Sequence, residues 1–129
     1  MEPLFIPHTK VTPEINFNEA KGEYKITGRS IPADATVFFS SADKWADRFS
    51  NQFKGSGITI DIMLDHLNTG SVRSILTLLT KFIKMELKKV AVTINWHFEI
   101  EDEDIRDKGE EMAMILEHKF VFISYKLPE

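Results

Sequence analysis

The sequence predicts a single α/β domain spanning residues 1–129. Segments in which apolar residues alternate with polar ones follow segments with helical spacing along most of the chain, and 43% of the residues are hydrophobic, enough for one core. No internal repeat, low-complexity tract or linker divides the chain. Strands that alternate with helices favour a mixed, mostly parallel sheet with helices packed on it, and an opening hairpin adds an antiparallel edge. The predicted order of elements is β-β-α-β-α-β-α-β.

The first part of the chain predicts an arm, a hairpin and a helix. Residues 1–11 contain two prolines and no sustained period, so we interpret them as an extended arm that docks on the body. EINFN and EYKIT alternate on either side of Gly22 and predict a hairpin. Helical spacing follows, and its apolar stripe predicts a first amphipathic helix through Phe38, Ala42, Trp45, Phe49 and Phe53.

The rest of the chain alternates strand and helix. Ile58 to Leu64 form the clearest alternating strand, and after the Asn68–Ser71 corner a helical stripe runs from Val72 to Ile83 and ends in the basic KMELKK. VAVTINWHF is β-branched and apolar, which is typical of a buried strand. EDEDIRDKGEEMAMILEHK is acidic at its start and predicts a third helix, since carboxylates favour helix N-termini. FVFISY predicts the last strand.

Composition excludes several classes of function. The chain has 16 basic and 20 acidic side chains, a net charge of -4, which argues against nucleic acid as a partner. There are no cysteines, so thiolate catalysis, disulfides and cysteine zinc sites are excluded, as is typical of a reducing compartment. The N-terminus lacks a secretory signal pattern, and Lys81 and Lys84 interrupt the longest apolar run. We therefore expect a soluble, cytosolic protein that does not bind membranes.

No motif for metal, cofactor or catalysis is present. The four histidines have no metal-ligand spacing, and the acidic segment at 99–104 does not fit a calcium loop because Asp107 stands where that loop requires glycine. Gly55-Ser56-Gly57 lacks the remaining features of a dinucleotide-binding loop, and no G-x-S-x-G elbow occurs. We expect neither a metal nor a cofactor, and an enzyme is the weakest of the functional hypotheses.

The corner Asn68-Thr69-Gly70-Ser71 lies where a predicted strand changes into a predicted helix. Asn, Thr and Ser are preferred helix N-caps, because their side-chain oxygens accept hydrogen bonds from unpaired backbone N–H groups. The same position also favours phosphate, since a helix N-terminus offers free donors and a positive dipole end. The residues alone leave both interpretations open, a structural cap or a phosphorylation site at Thr69.

A resemblance covers nearly the whole chain. The segments TPEINFN, GEYKITGRSIPADATVFF, LDHLNTGSVRSIL and INWHFEIEDEDIRDKGEEM, with Trp45, resemble the SiaC family of bacterial regulatory phosphoproteins in order and spacing. The most specific pieces are Gly28–Pro32, the Asn68-Thr69 pair, and Trp96 followed by acidic residues and Gly109-Glu110-Glu111. Gly70 and Val72 depart from the family, which often has serine there, and His66 and Leu67 stand where aromatic residues are common.

The resemblance implies a fold and a regulatory role. The implied fold is similar to STAS domains, and the implied function is that of a non-enzymatic switch, phosphorylated at Thr69 by a protein kinase and dephosphorylated by a PP2C-type phosphatase. The unphosphorylated form is implied to bind and activate a diguanylate cyclase, which promotes cyclic-di-GMP output, biofilm formation and aggregation.

The predicted site has two parts. Asn68, Gly70 and Ser71 shape the phosphorylation site, and a candidate partner surface comprises Trp96, Glu101, Asp102 and Asp104, because loops at the carboxyl ends of parallel strands gather on one edge of the sheet. The alternative function is a STAS-like module that binds a small molecule or nucleotide at this edge without phosphorylation.

Overall fold

A computed structural model describes residues 1–128 and contains one six-stranded sheet and three α-helices. The strands are β1 (Leu4–Ile6), β2 (Glu14–Asn18), β3 (Glu23–Ser30), β4 (Gly57–Leu67), β5 (Ala91–Glu99) and β6 (Val121–Tyr125). The helices are α1 (Ala35–Gln52), α2 (Thr69–Ile83) and α3 (Glu103–Leu116), and a 3₁₀ helix over Lys84–Lys88 continues α2. None of the helices in residues 1–128 is both long enough and apolar enough to cross a membrane.

The strands lie in the sheet in the same order as in the chain. β1, β2 and β3 pair antiparallel, whereas β3, β4, β5 and β6 pair parallel. Each parallel connection advances by one strand in the same direction, so right-handed crossovers place α1, α2 and α3 on the same face. The α/β class and the mostly parallel sheet are therefore confirmed.

The predicted order lacked one strand. Within the predicted extended arm, Leu4–Ile6 forms an edge strand, which pairs with β2 through Phe5 and Asn16. It is only three residues long and lies between Pro3 and Pro7, so it is too short to show the alternation that marks a strand in sequence. The prolines also limit further pairing at this edge, because proline has no backbone N–H to donate.

All three helices cover the same face of the sheet, and the strand residues on that face are the buried ones. In β4, Ile58, Ile60, Ile62 and Leu64 are buried against the helices, while the residues between them face the uncovered side. Helix α1 packs through Phe39, Ala42, Trp45 and Phe49, so Phe39 replaces the predicted Phe38, which is only partly buried. The Trp45 and Phe49 rings stack with centroids 4.8 Å apart and join α1 to the sheet through Tyr24 and Phe17.

Helix α3 approaches the sheet closely at Gly109. A Cβ atom at this position would lie 2.5 Å from Nε1 of Trp96, far inside van der Waals contact. The same Nε1 donates a hydrogen bond of 2.9 Å to the carbonyl oxygen of Ile105. Because Gly109 has no side chain, α3 can lie directly against the indole of Trp96 on β5.

We predict that Gly109→Ala destabilises the protein. The clash with Trp96 should cost about 3 kcal/mol, and alanine regains only about 1 kcal/mol through its higher helix propensity. The free energy of unfolding should fall by about 2 kcal/mol in urea titrations, with a Tm several degrees lower. Glu110→Ala, an exposed neighbour on the same helix, is the control and should change stability by less than about 0.5 kcal/mol. Equal stability of the two variants would contradict the close packing.

Candidate functional site

The corner between β4 and α2 is organised around Asn68. Its backbone is extended (φ -87°, ψ 170°), and its Oδ1 accepts a 2.9 Å hydrogen bond from the backbone N–H of Ser71, so it caps α2. Its Nδ2 donates to the carbonyl oxygen of Pro32 at 3.0 Å, and its backbone N–H donates to the carbonyl oxygen of Ser30 at 3.1 Å. Asn68 therefore caps the helix and also ties it to the segment that follows β3.

A buried pair of hydroxyls makes the second connection. Ser30 Oγ donates to Ser71 Oγ at 2.7 Å, and both residues are 0% exposed. Ser30 reaches this position after an irregularity in the β3–β4 register next to Gly28, whose φ of +112° favours glycine. The Gly28–Pro32 segment thus supplies three groups that hold the N-terminus of α2: the carbonyl and hydroxyl of Ser30 and the carbonyl of Pro32.

Thr69 is exposed at the first position of α2. Within residues 1–128, its hydroxyl makes no hydrogen bond, because Asn68 already provides the cap. The first turn of the helix contains no acidic side chain that would repel an added phosphate. Gly70, also exposed, comes close to α1, since a Cβ there would lie 3.4 Å from that of Ala35. The threonine hydroxyl is thus accessible, and no hydrogen bond within the described part of the chain occupies it.

Two surface grooves meet at the corner. The α2/α3 groove has a volume of about 390 Å³ and is lined by Leu67, Asn68, Thr69, Val72, Lys108, Glu111, Met112 and Ile115. The loop groove, of about 340 Å³, lies between the end of β4 and the start of α3 and includes Asn68, Lys108, Asp102 and Asp104. The structure therefore places Thr69 and part of the acidic segment on one continuous surface.

The candidate partner surface needs one correction. Asp102 and Asp104 line the loop groove, and Asp102 also caps α3 by accepting from the N–H of Ile105 at 3.1 Å. Glu101 is exposed beside them. Trp96, in contrast, is 1% exposed and packs under α3, so its assignment to a contact surface was wrong. Its side chain points to the helix-covered face because β5 alternates, and it lies three residues before the end of the strand at Glu99.

The edge of the sheet beside these grooves is acidic. Burial of the Tyr125 hydroxyl raises its pKa above the ordinary value, and the charges of Asp65, Glu99 and Asp102 raise it further. The charge of Asp65 is partly balanced by Arg29, whose Nε lies 3.8 Å from its carboxylate, and Nδ1 of His66 lies 3.1 Å from the same carboxylate. Within residues 1–128, no three His, Asp or Glu side chains are grouped so that they could hold a metal ion.

Sequence reasoning missed three residues of the site: Ser30, Pro32 and Lys108. Ser30 and Pro32 belong to a segment that the family resemblance had singled out, but only the parallel pairing of β3 with β4 shows why they matter. The sequence could not indicate a role for Lys108, because it is one of several charged residues on α3.

Comparison with known proteins identifies the family. The model of the SiaC family of regulatory phosphoproteins matches residues 6–125. The chain belongs to this family. An uncharacterised protein of Pseudomonas aeruginosa strain UCBPP-PA14 is 26% identical over 111 residues, which cover 86% of this chain and 87% of the relative.

Solved structures show the same fold. Apo-SiaC from Pseudomonas aeruginosa superposes with a TM-score of 0.81 at 25% identity over 96% of this chain and 98% of that one. SiaC of the same organism, in complex with the diguanylate cyclase SiaD that it activates, gives a TM-score of 0.83 at 24% identity over 95% and 99% of the two chains. The predicted family is confirmed, and membership in it makes this SiaC-family chain a regulatory protein rather than an enzyme.

We predict that Asn68 stabilises the fold and that Thr69 does not. Asn68→Ala removes the α2 cap and the bond to Pro32, which should lower the free energy of unfolding by about 2 kcal/mol. Thr69→Ala removes no hydrogen bond and should change it by less than about 0.5 kcal/mol. Urea denaturation of both variants tests this, and a Thr69→Ala protein as unstable as Asn68→Ala would show that the threonine hydroxyl is structural.

Proposed function

We propose that this chain is a phosphorylation switch in which reversible modification of Thr69 controls binding to a signalling partner. The observation that carries the proposal is the division of roles at the corner: Asn68 and Ser71 hold the helix, while the exposed Thr69 hydroxyl makes no hydrogen bond within residues 1–128. A kinase can therefore modify Thr69 without breaking a bond on which the fold depends.

The position also suits the product of the reaction. A phosphate on Thr69 adds a charge of about -1.5 to -2 and three acceptor oxygens. It lies at the positive end of the α2 dipole, where anions are favoured. We therefore expect phosphorylation to leave the fold intact and to change the charge of the two grooves that meet at Asn68.

The proposed partner is a diguanylate cyclase. The solved SiaC that activates the cyclase SiaD shares the fold of this chain along nearly its whole length. In this chain, Thr69 lies on the α2/α3 groove, and Asp102 and Asp104 lie on the adjoining loop groove, so a partner that covers the corner would contact both. The unphosphorylated protein would activate the cyclase and raise cyclic-di-GMP in the cytosol, which would promote biofilm formation and aggregation. A protein kinase and a PP2C-type phosphatase would set the phosphorylation state.

We predict that the cognate kinase with ATP adds a single phosphate, on Thr69. Intact mass spectrometry and peptide mapping give its position, and Thr69→Ala should remain unmodified. Thr77→Ala is the matched control, because Thr77 is an exposed threonine on the same helix whose hydroxyl donates to the carbonyl oxygen of Arg73. This variant should be phosphorylated like the wild type. Phosphate on Thr77, Ser74 or any other residue would refute the assignment.

We predict further that phosphorylation weakens binding to the cyclase at least about tenfold, because a dianion beside an interface must be desolvated or repelled. Isothermal titration of the cyclase with unmodified and phosphorylated protein measures the two Kd values, and a cyclase assay gives the accompanying activation. Thr69→Ala should bind as the unmodified protein does and should not respond to the kinase. Equal affinity of the two forms would show that phosphorylation does not control binding to the cyclase and would contradict the proposed function.

A further inference from the structure

We infer that Lys108 of α3 binds the phosphate on Thr69 across the α2/α3 groove and so clamps the two helices together. The inference rests on the proposed phosphorylation of Thr69 and identifies the side chain that receives the new charge. Lys108, which lies 39 positions after Thr69 in the sequence, would supply the positive charge that pairs with the phosphate.

Lys108 is the basic residue that the corner's two grooves share. It lines the α2/α3 groove together with Thr69, and it also lines the loop groove, the two being joined at Leu67 and Asn68. It is half-buried, as is typical of a lysine that packs its aliphatic stem on the protein surface and keeps its ammonium group in water.

The ammonium group of Lys108 is available. Among residues 1–128, no carboxylate oxygen lies within 4.0 Å of its Nζ, although Asp104 and Glu111 follow the helical spacing that would allow a pair. By contrast, Lys81 at the far end of α2 is already paired with Asp47 at 2.8 Å. A phosphate on Thr69 therefore meets a cation that need not give up another partner.

The packing of α3 keeps this cation in place. Gly109, the next residue, lies against the Trp96 indole, and the carbonyl of Ile105 accepts the hydrogen bond from Trp96 Nε1. Asp102 caps the start of the helix. The backbone that carries Lys108 is thus fixed on the sheet, and only the flexible lysine side chain has to move toward the phosphate.

The chemistry favours an ion pair. Ammonium and phosphate groups form charge-assisted hydrogen bonds, which are stronger than neutral ones. Glu111 on the same wall opposes the phosphate, and Arg73, one turn after Thr69 on α2, is the competing cation. Arg73 is exposed and does not line the groove, so the geometry favours Lys108. The bridge would cross a groove that is also lined by the apolar side chains of Val72, Met112 and Ile115.

The test uses protein in which phosphothreonine is incorporated at position 69 during translation, so that it does not depend on the kinase. A free phosphomonoester has a second pKa of about 6, and a nearby ammonium group lowers it. We expect ³¹P NMR titration to give a second pKa about 0.5 pH units higher in Lys108→Ala than in the otherwise unchanged chain. Lys108→Arg should restore the lower value, because guanidinium also pairs with phosphate. Arg73→Ala is the matched control and should leave it unchanged.

Thermal unfolding supplies the second readout. Phosphothreonine at 69 should raise Tm relative to threonine in the parent chain, and Lys108→Ala should remove about half of that gain or more while having little effect on the unphosphorylated protein. Identical pKa values and Tm gains in Lys108→Ala and the parent would overturn the clamp, as would a larger effect from Arg73→Ala. Failure of the kinase to modify Thr69 would instead refute the proposed function and would leave these two results unchanged.

Discussion

The site depends on the three hydrogen bonds of Asn68. Its backbone N–H, its Oδ1 and its Nδ2 connect the end of β4 to Ser30, Ser71 and Pro32, and so fix the helix N-terminus relative to the neighbouring strand. Each such bond contributes only about 1 kcal/mol net, but an unpaired buried partner costs more. Because these bonds and the Ser30–Ser71 pair connect the N-terminus of α2 to the neighbouring strand, the hydroxyl of Thr69 is not needed to hold the helix in place. A switch needs this separation, since a modification that also loosened the fold would change stability instead of recognition.

The segments that carry the family resemblance have physical reasons of their own. Gly28 permits the irregular end of β3, after which Ser30 and Pro32 meet the corner. Trp96 and Gly109 fit one another, because the indole occupies the space that a side chain at 109 would fill. Both segments hold a helix in place, the first α2 and the second α3.

Much of the fold could be predicted from local pattern. The alternation in β4 and the helical stripe of α2 are strong signals because one face of each element is buried against the other. β1 could not be found in this way, since three residues between prolines owe their pairing to β2 and not to their own sequence. Trp96 was placed on the surface by its proximity to the acidic loop, although the alternation of β5 turns it inward. The α2/α3 groove arises only when successive crossovers put these helices side by side, so no local pattern could indicate Lys108.

The most direct test of the account is peptide mapping of the protein purified from its own cells. We predict a fraction with one phosphate, located on Thr69, that changes with growth conditions, and we expect the protein in that fraction to be folded with a higher Tm. A chain that is never modified, or that carries its phosphate elsewhere, would contradict the account and leave Asn68-Thr69-Gly70-Ser71 as a helix cap alone.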